Sequence, residues 1–287
     1  MQADAFEKRP SVAERDSFVL CVDVGNSRSS FGLFAWDAGA QDEPLARWES
    51  STLAQLTSDD ARLSLLQVLS LMGSDLGLRA GELRRPRAAI LSCVVPSLVE
   101  VWVQALSRVC ERRPLVVGPG LKTGLKMRYR DPAEIGSDRI ADALAARERY
   151  GAPVIALDLG TTLNVEAVGE DGSFLGGIIA PGLDMGARAL SQDAARLPVV
   201  ELGRPGAVIG RSTREAMLSG IVLGEVARME GLVARVQAEL GQVAPVVITG
   251  TRADELAELV SFEAKADANL TFRGLHQLFL QNERPAR

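Results

Sequence analysis

Residues 19–27, VLCVDVGNS, and residues 154–162, VIALDLGTT, read alike: an apolar run, an aspartate, one apolar residue, a glycine, then Asn or Thr and Ser or Thr. Apolar runs of this length, bounded by Gly and small polar residues, predict buried strands that end in tight turns. The aspartates, Asp23 and Asp158, are 135 residues apart (158 − 23), about half of the 287-residue chain. A repeat at that spacing predicts an α/β protein of two similar halves facing each other across a cleft. The boundaries expected are a flexible tail over 1–17, an N-terminal half over 18–150 and a C-terminal half over 151–287.

Outward from these stretches the pattern is consistent. FVLCVDV (18–24) followed by SSFGLFAW (29–36) predicts a hairpin, and RAAILSCVV (87–95) another buried strand. Pro96 opens an amphipathic helix through Cys110, and PLVVG (114–118) returns as a strand. In the second half, SDRIADALAARERYG (137–151) predicts a helix stopped by Gly151, and Asp171-Gly172 is a turn between two β runs. The apolar periodicity of STREAMLSGIVLGEVARMEGLVARVQAEL (212–240) predicts a long helix that buries one face, against a twofold mate or against the protein's own core.

Composition narrows the chemistry. Hydrophobic residues at 47% and charged ones at 24% exclude wholesale disorder. With 32 Lys and Arg against 37 Asp and Glu, the net charge of −5 gives no reason to expect nucleic acid or an anionic membrane as partner, which leaves a small ligand. Cys21, Cys93 and Cys110 show no CxxC spacing and read as free thiols of a reducing compartment. The single histidine, His276, excludes a His-rich metal site and reads as an ordinary helix residue. No secretory signal pattern opens the chain and no apolar stretch reaches the ~18 residues of a spanning helix, so a cytoplasmic protein is expected.

A nucleotide triphosphate asks for N–H donors, close backbone approach and carboxylates to hold a metal or its water shell. Each Asp-x-Gly loop supplies all of these, although one such loop alone is equally well a β-turn with an Asp cap. GxxxxGK(S/T) is absent and GxGxxG follows neither strand, which weakens P-loop and dinucleotide readings. Between the loops lies TGLKMRYRDPAEIGSDRIADA (123–143), dense in charge. Its Asp138 falls in the first turn of a helix, where spacing alone favours capping; a carboxylate there could also deprotonate a substrate hydroxyl beside Arg139, which could hold an anionic group.

The stretch VVGPGLKTGLKMRYRDPAEIGSDRIADALAA (116–146), followed in order by ALDLGTT (156–162), GGIIAPGL (176–183), ARLPVVEL (195–202) and IGRSTREAMLSGIVLGE (209–225), resembles the type III pantothenate kinases. The resemblance runs from about Val19 to Asn282 and implies two ribonuclease H-like halves of the actin and sugar-kinase superfamily. It implies ATP-dependent phosphorylation of pantothenate to 4'-phosphopantothenate, the first step of coenzyme A biosynthesis, by a homodimer. Position by position, Asp23, Val24, Gly25, Asn26, Ser27, Arg28, Ser29 and Ser30 would form the first ATP phosphate segment, and Thr161 a further ATP contact. Asp138 would be the base acting on the pantothenate hydroxyl. Tyr129, Gly136, Ser137, Asp138, Arg139 and Thr213 would contact pantothenate, Thr213 across the dimer. Asp158 would bind a monovalent cation, K+ or NH4+, and Mg2+ would accompany ATP. Two segments differ from the family pattern: 158–166 reads DLGTTLNVE where D-x-G-T-A-T-T-x-D is usual, and 249–251 reads TGT where TGG is usual. They define the alternative, a non-catalytic regulatory homologue with weakened nucleotide binding.

Overall fold

The computed structural model describes residues 17–110, 112–193 and 197–283. The expected tail lies, but for Ser17, outside the described residues. Contacts divide the chain after Val117 into two units. The first carries β1 (Phe18–Val24), β2 (Arg28–Ala35), β3 (Ala46–Ser51), α1 (Ser58–Asp75), β4 (Ala88–Cys93), α2 (Pro96–Val109) and β5 (Leu115–Val116). The second carries α3 (Ser137–Tyr150), β6 (Val154–Leu159), β7 (Thr162–Val168), β8 (Phe174–Pro181), α4 (Leu183–Asp193), α5 (Thr213–Leu240), β9 (Val246–Gly250), α6 (Ala253–Ala257), β10 (Ala264–Ala266) and α7 (Leu270–Asn282).

The two units share one sheet topology. The first sheet runs β3-β2-β1-β4-β5 and the second β8-β7-β6-β9-β10. In each, three antiparallel strands are extended by two parallel ones. This is the α/β arrangement of paired ribonuclease H-like sheets. β1 and β6 sit at the centre of their sheets and are apolar throughout apart from their aspartates, because both faces are covered.

Local signals fix the ends of the helices. Thr57 and Asp60 form a reciprocal capping box on α1, Pro96 occupies the first turn of α2, and Ser212 caps α5, which stops at Gly241 in the left-handed region. Side chains of α1 and α2, including Leu65, Met72, Trp102 and Leu106, fill the core of the first unit against β1 and β4. In the second, Val222, Val226, Met229 and Val233 of α5 pack on Ile155, Leu157 and Ile248. The apolar face of α5 is therefore spent on its own core, the second of the two readings its periodicity allowed.

Residues 118–150, assigned to the first half from sequence, have their packing partners in the second unit. α3 lies against α7 and β6. Gly274 of α7 meets the backbone of Ala141 so closely that a β-carbon there would overlap the Ala141 carbonyl. The three cysteines are free, and His276 is fully buried in α7. No described helix is long and apolar enough to cross a membrane.

Candidate active site

In the first unit the polar end of the sheet forms where β1 turns into β2. Gly25 N donates to Arg28 O at 2.8 Å, closing a hairpin in which Val24 pairs with Ser29 and Asp23 with Ser30. Asn26, Ser27 and Arg28 are exposed, and Ser29 is buried with its hydroxyl 2.8 Å from that of Thr52. On the parallel neighbour β4, Ser92 falls opposite Asp23 and its buried hydroxyl donates to Asp23 Oδ1 at 2.6 Å. Ser92 was not singled out from sequence. Its signal was a lone hydroxyl at the end of an otherwise apolar run.

The second unit repeats this register. Thr249 of β9 falls opposite Asp158 of β6, as Ser92 does opposite Asp23. Around the loop, Gly160 N donates to Thr162 O at 3.0 Å, Gly182 N to Thr161 O at 3.0 Å, and Thr251 N to Leu159 O at 2.7 Å. Gly250 has φ +84, and a β-carbon on it would stand 2.6 Å from Asp158 Oδ1, so this glycine opens the space beside that carboxylate.

The residues that differ from the family pattern have local explanations. Thr251 does not need the left-handed region, which falls instead on Gly250 and on Arg252, at φ 63. Leu163 points into the core with Val165 and Ile155, away from any phosphate-binding surface. Polar character at the loop is kept by Thr162, whose hydroxyl donates to Asn164 Oδ1 at 3.3 Å.

A third group is assembled by α3, β7, β8 and the segment before α3. Arg128 N donates to Phe174 O at 2.8 Å and Phe174 N to Lys126 O at 2.9 Å, which lays Tyr129 along β8 with its ring centroid 6.0 Å from that of Phe174. Gly176 has φ +130, and a β-carbon there would reach 3.6 Å from the Tyr129 ring. A β-carbon on Gly177 would overlap Val165 O and stand 2.8 Å from Arg139 Nη2. The two leading glycines of GGIIAPG fall within β8, where Gly176 takes a positive φ beside the Tyr129 ring and Gly177 leaves room for Arg139.

Asp138 is the second residue of α3, after the N-cap Gly136, which has no side chain with which to cap. Its Oδ1 accepts from Arg139 N at 2.8 Å, so it takes one of the open N–H groups of the first turn, as the capping reading required. Gly136 permits this fold-back, since a β-carbon on it would overlap Asp138 Oδ1. Burial raises the Asp138 pKa above the usual carboxylate value, opposed by that N–H and by the Arg139 guanidinium.

Arg139 and Glu166 form a buried ion pair, Nε to Oε1 at 2.8 Å, with 4% and 0% of their surfaces exposed. Burial disfavours the Arg139 charge, but Glu166 and the Tyr129 phenol outweigh it and hold its pKa above the ordinary guanidinium value. Burial pushes Glu166 up to about 7, opposed by Arg139 and reinforced by Asp138. One turn beyond Asp138, Asp142 is buried with no hydrogen-bond partner for either oxygen among the described residues. Burial, then repulsion from Asp158 and Glu166, raises its pKa well above the carboxylate range.

The structure thus brings Tyr129, Gly136, Asp138 and Arg139 together, and adds Glu166, Asp142, Gly176 and Gly177. Ser137 is buried in the first turn of α3. Thr213 stands exposed at the start of α5 and makes no hydrogen bond to Tyr129, Asp138 or Arg139.

A helix start presenting a carboxylate and a guanidinium, together with Asp-x-Gly loops, suits phosphoryl transfer, and comparison with known proteins settles the family. The family model for type III pantothenate kinase matches residues 19–235. The chain belongs to the type III pantothenate kinase family. The type III pantothenate kinase of Moorella thermoacetica is 37% identical over 264 residues, spanning 92% of this chain and 99% of that protein. That of Thermomicrobium roseum is 38% identical over 261 residues, 91% of this chain and 96% of that protein. A solved structure described as a conserved putative Baf family transcriptional activator from Campylobacter jejuni shares the fold, with a TM-score of 0.57 at 17% identity over 92% of this chain and 98% of that one. As a type III pantothenate kinase the chain is a phosphotransferase, and nothing in the comparisons favours a non-catalytic homologue.

Proposed function

We propose that this chain transfers the γ-phosphoryl group of ATP to the primary hydroxyl of pantothenate, opening coenzyme A biosynthesis in the cytoplasm, with Asp138 as general base. The observation that carries the reading is the placement of Asp138 at the start of α3, partly buried, with its carboxylate beside the charge of Arg139. Burial makes Asp138 a stronger base than a free carboxylate, and phosphoryl transfer asks the protein chiefly to align the hydroxyl and neutralise spreading charge.

Asp23, Val24, Gly25, Asn26, Ser27, Arg28, Ser29 and Ser30 are assigned to the phosphates of ATP, and Thr161 to the nucleotide as well. Exposed Asn26, Ser27 and Arg28 at the hairpin tip are free of core packing, as a phosphate grip requires. Tyr129, Gly136, Ser137, Arg139 and Thr213 are assigned to pantothenate. Arg139 takes an anionic part of the substrate through charge-assisted hydrogen bonds.

Asp158 is assigned to a monovalent cation, K+ or NH4+. Asp158 offers a carboxylate oxygen, the ligand type such an ion takes, and Gly250 puts no side chain beside its Oδ1. Mg2+ is assigned to arrive on ATP, where it neutralises phosphate charge. Exposed Ile179, Val208 and Ile209, at 61%, 76% and 82%, support a homodimer through this region of the second unit, with Thr213 nearby in sequence reaching the partner's substrate.

The test is ADP release with pantothenate, in potassium or in sodium, for wild type and Asp138→Asn side by side. Turnover that needs pantothenate and potassium and is lost in the variant is expected. Folded wild type that leaves pantothenate unphosphorylated refutes the reading.

A further inference from the structure

We propose that Glu166 is the positioning residue for Arg139, holding the guanidinium side-on so that its free Nη2 edge receives the carboxylate of pantothenate. This rests on the reading of Arg139 as a pantothenate contact and adds how its charge is aimed.

Arg139 gives Nε to Glu166 Oε1 at 2.8 Å, while its Nη2 and the second oxygen of Glu166, Oε2, are buried and have no partner among the described residues. A guanidinium and a carboxylate that exist only to bridge the core engage each other by two parallel bonds. This pair uses one, and the N–H groups left over are on the edge of the guanidinium that adjoins Gly177. Buried donors without partners are uncommon in folded proteins and call for an explanation.

Gly177 supplies the second observation. A β-carbon there would stand 2.8 Å from Arg139 Nη2, so the absence of a side chain leaves the buried Nη2 unclashed. The Phe174 ring lies 5.7 Å from the guanidinium carbon, and its neighbour Tyr129 runs along β8 past Gly176. Arg139 is therefore held by Glu166, supported by the Tyr129 phenol, bordered by the Phe174 ring and left with an unpartnered Nη2. That is the form of a receptor for one planar anion. Phosphate oxygens of ATP already have the hairpin of Asp23 to Ser30, whereas pantothenate brings a carboxylate that has no other cation assigned to it.

Glu166 was noted in the sequence only as a longer side chain where the family pattern has Asp. From β7 its carboxylate reaches Nε of a residue on α3.

The experiment compares pantothenate with its uncharged alcohol analogue, pantothenol, at saturating ATP, for wild type, Glu166→Gln, Glu166→Asp, Arg139→Gln and the double variant Glu166→Gln with Arg139→Gln. Glu166→Gln is expected to raise KM for pantothenate ~10-fold or more, the scale on which a lost charge-assisted hydrogen bond is read. KM for ATP should stay within about twofold and kcat/KM for pantothenol within about threefold, because neither involves the carboxylate. Glu166→Asp should fall between, and Glu166→Gln should add nothing further in the Arg139→Gln background. Where Glu166→Gln alone does not fold, the double variant, which leaves no lone buried charge, and Glu166→Asp carry the same comparison. Equal losses with pantothenate and pantothenol, or losses at the two positions that add, overturn the positioning role while leaving the kinase reading intact. Absence of turnover by wild type overturns both.

Discussion

Gly177 of β8 pairs with Glu166 of β7 and lies so close to the preceding residue that a β-carbon on Gly177 would overlap the Val165 carbonyl oxygen. The neighbour here is backbone in a paired strand, which cannot swing aside as a side-chain end could. Gly177→Ala is therefore expected to cost about 3 kcal/mol of stability, at the upper end of ordinary overpacking, and to displace Arg139. Urea unfolding checks this, and wild-type stability in the variant would contradict it.

Ser92 holds Asp23 from the neighbouring strand, a buried hydroxyl to a carboxylate at 2.6 Å. Ser92→Ala removes the donor and loosens the hold on Asp23 at the base of the phosphate hairpin. The expected outcome is a loss of roughly 1–3 kcal/mol in stability and a several-fold rise in KM for ATP, with KM for pantothenate unchanged. A variant that moves both KM values alike would show that Ser92 supports the sheet as a whole.

Asp138→Asn keeps the size of the side chain and an oxygen for the Arg139 N–H but cannot accept a proton. A fall in kcat of about 10²–10⁴ is expected, with the melting temperature within a few degrees of wild type. Because burial raises the Asp138 pKa, kcat/KM in the wild type should decline on acidification at a pH above the ordinary carboxylate range. A profile flat down to pH 4 would rule out Asp138 as the base.

Asp142 gives a prediction about stability. Its folded-state pKa lies above the unfolded value, so over the intervening range the folded chain keeps a proton that the unfolded chain has lost. Stability from this group falls as pH rises through that range, by up to about 1.4 kcal/mol per pH unit. Asp142→Asn removes the dependence. Unfolding at pH 5 and pH 8 should show the variant gaining on wild type as pH increases; a gain that is larger at pH 5 would be inconsistent with a buried neutral carboxyl.

The fold was legible where apolar runs and punctuation coincided. Phe18–Val24, Val154–Leu159, the Asp171-Gly172 hairpin and the helix ending before Gly151 appear as their residues predict. β3 escaped because its burial alternates at an edge, and α1 because its weak amphipathicity offers little periodicity. Within the site, Asp138 and Arg139 were visible as a charged helix start. The roles of Ser92, Glu166 and Gly177 were not, since each acquires its meaning from a neighbouring element: Ser92 from β1, Glu166 from a helix whose Arg139 precedes it by 27 residues, Gly177 from β7. Pairing register is a property of the folded sheet, and no local pattern reports it.

The close seating of Gly274 on Ala141 bears on how the protein is made. Helix α3 is translated first, and the 119 residues from Gly151 to Asn269 must follow before α7 begins. At ~5–20 residues per second, the nascent chain carries Asp138 for roughly 6–24 s on a helix whose packing partner does not yet exist. During that interval the alanines of α3 that α7 will cover are open to chaperones and to other nascent chains. The enzyme's competence thus waits for α7, and a chain broken off before residue 270 carries the base without the helix that covers this face of α3.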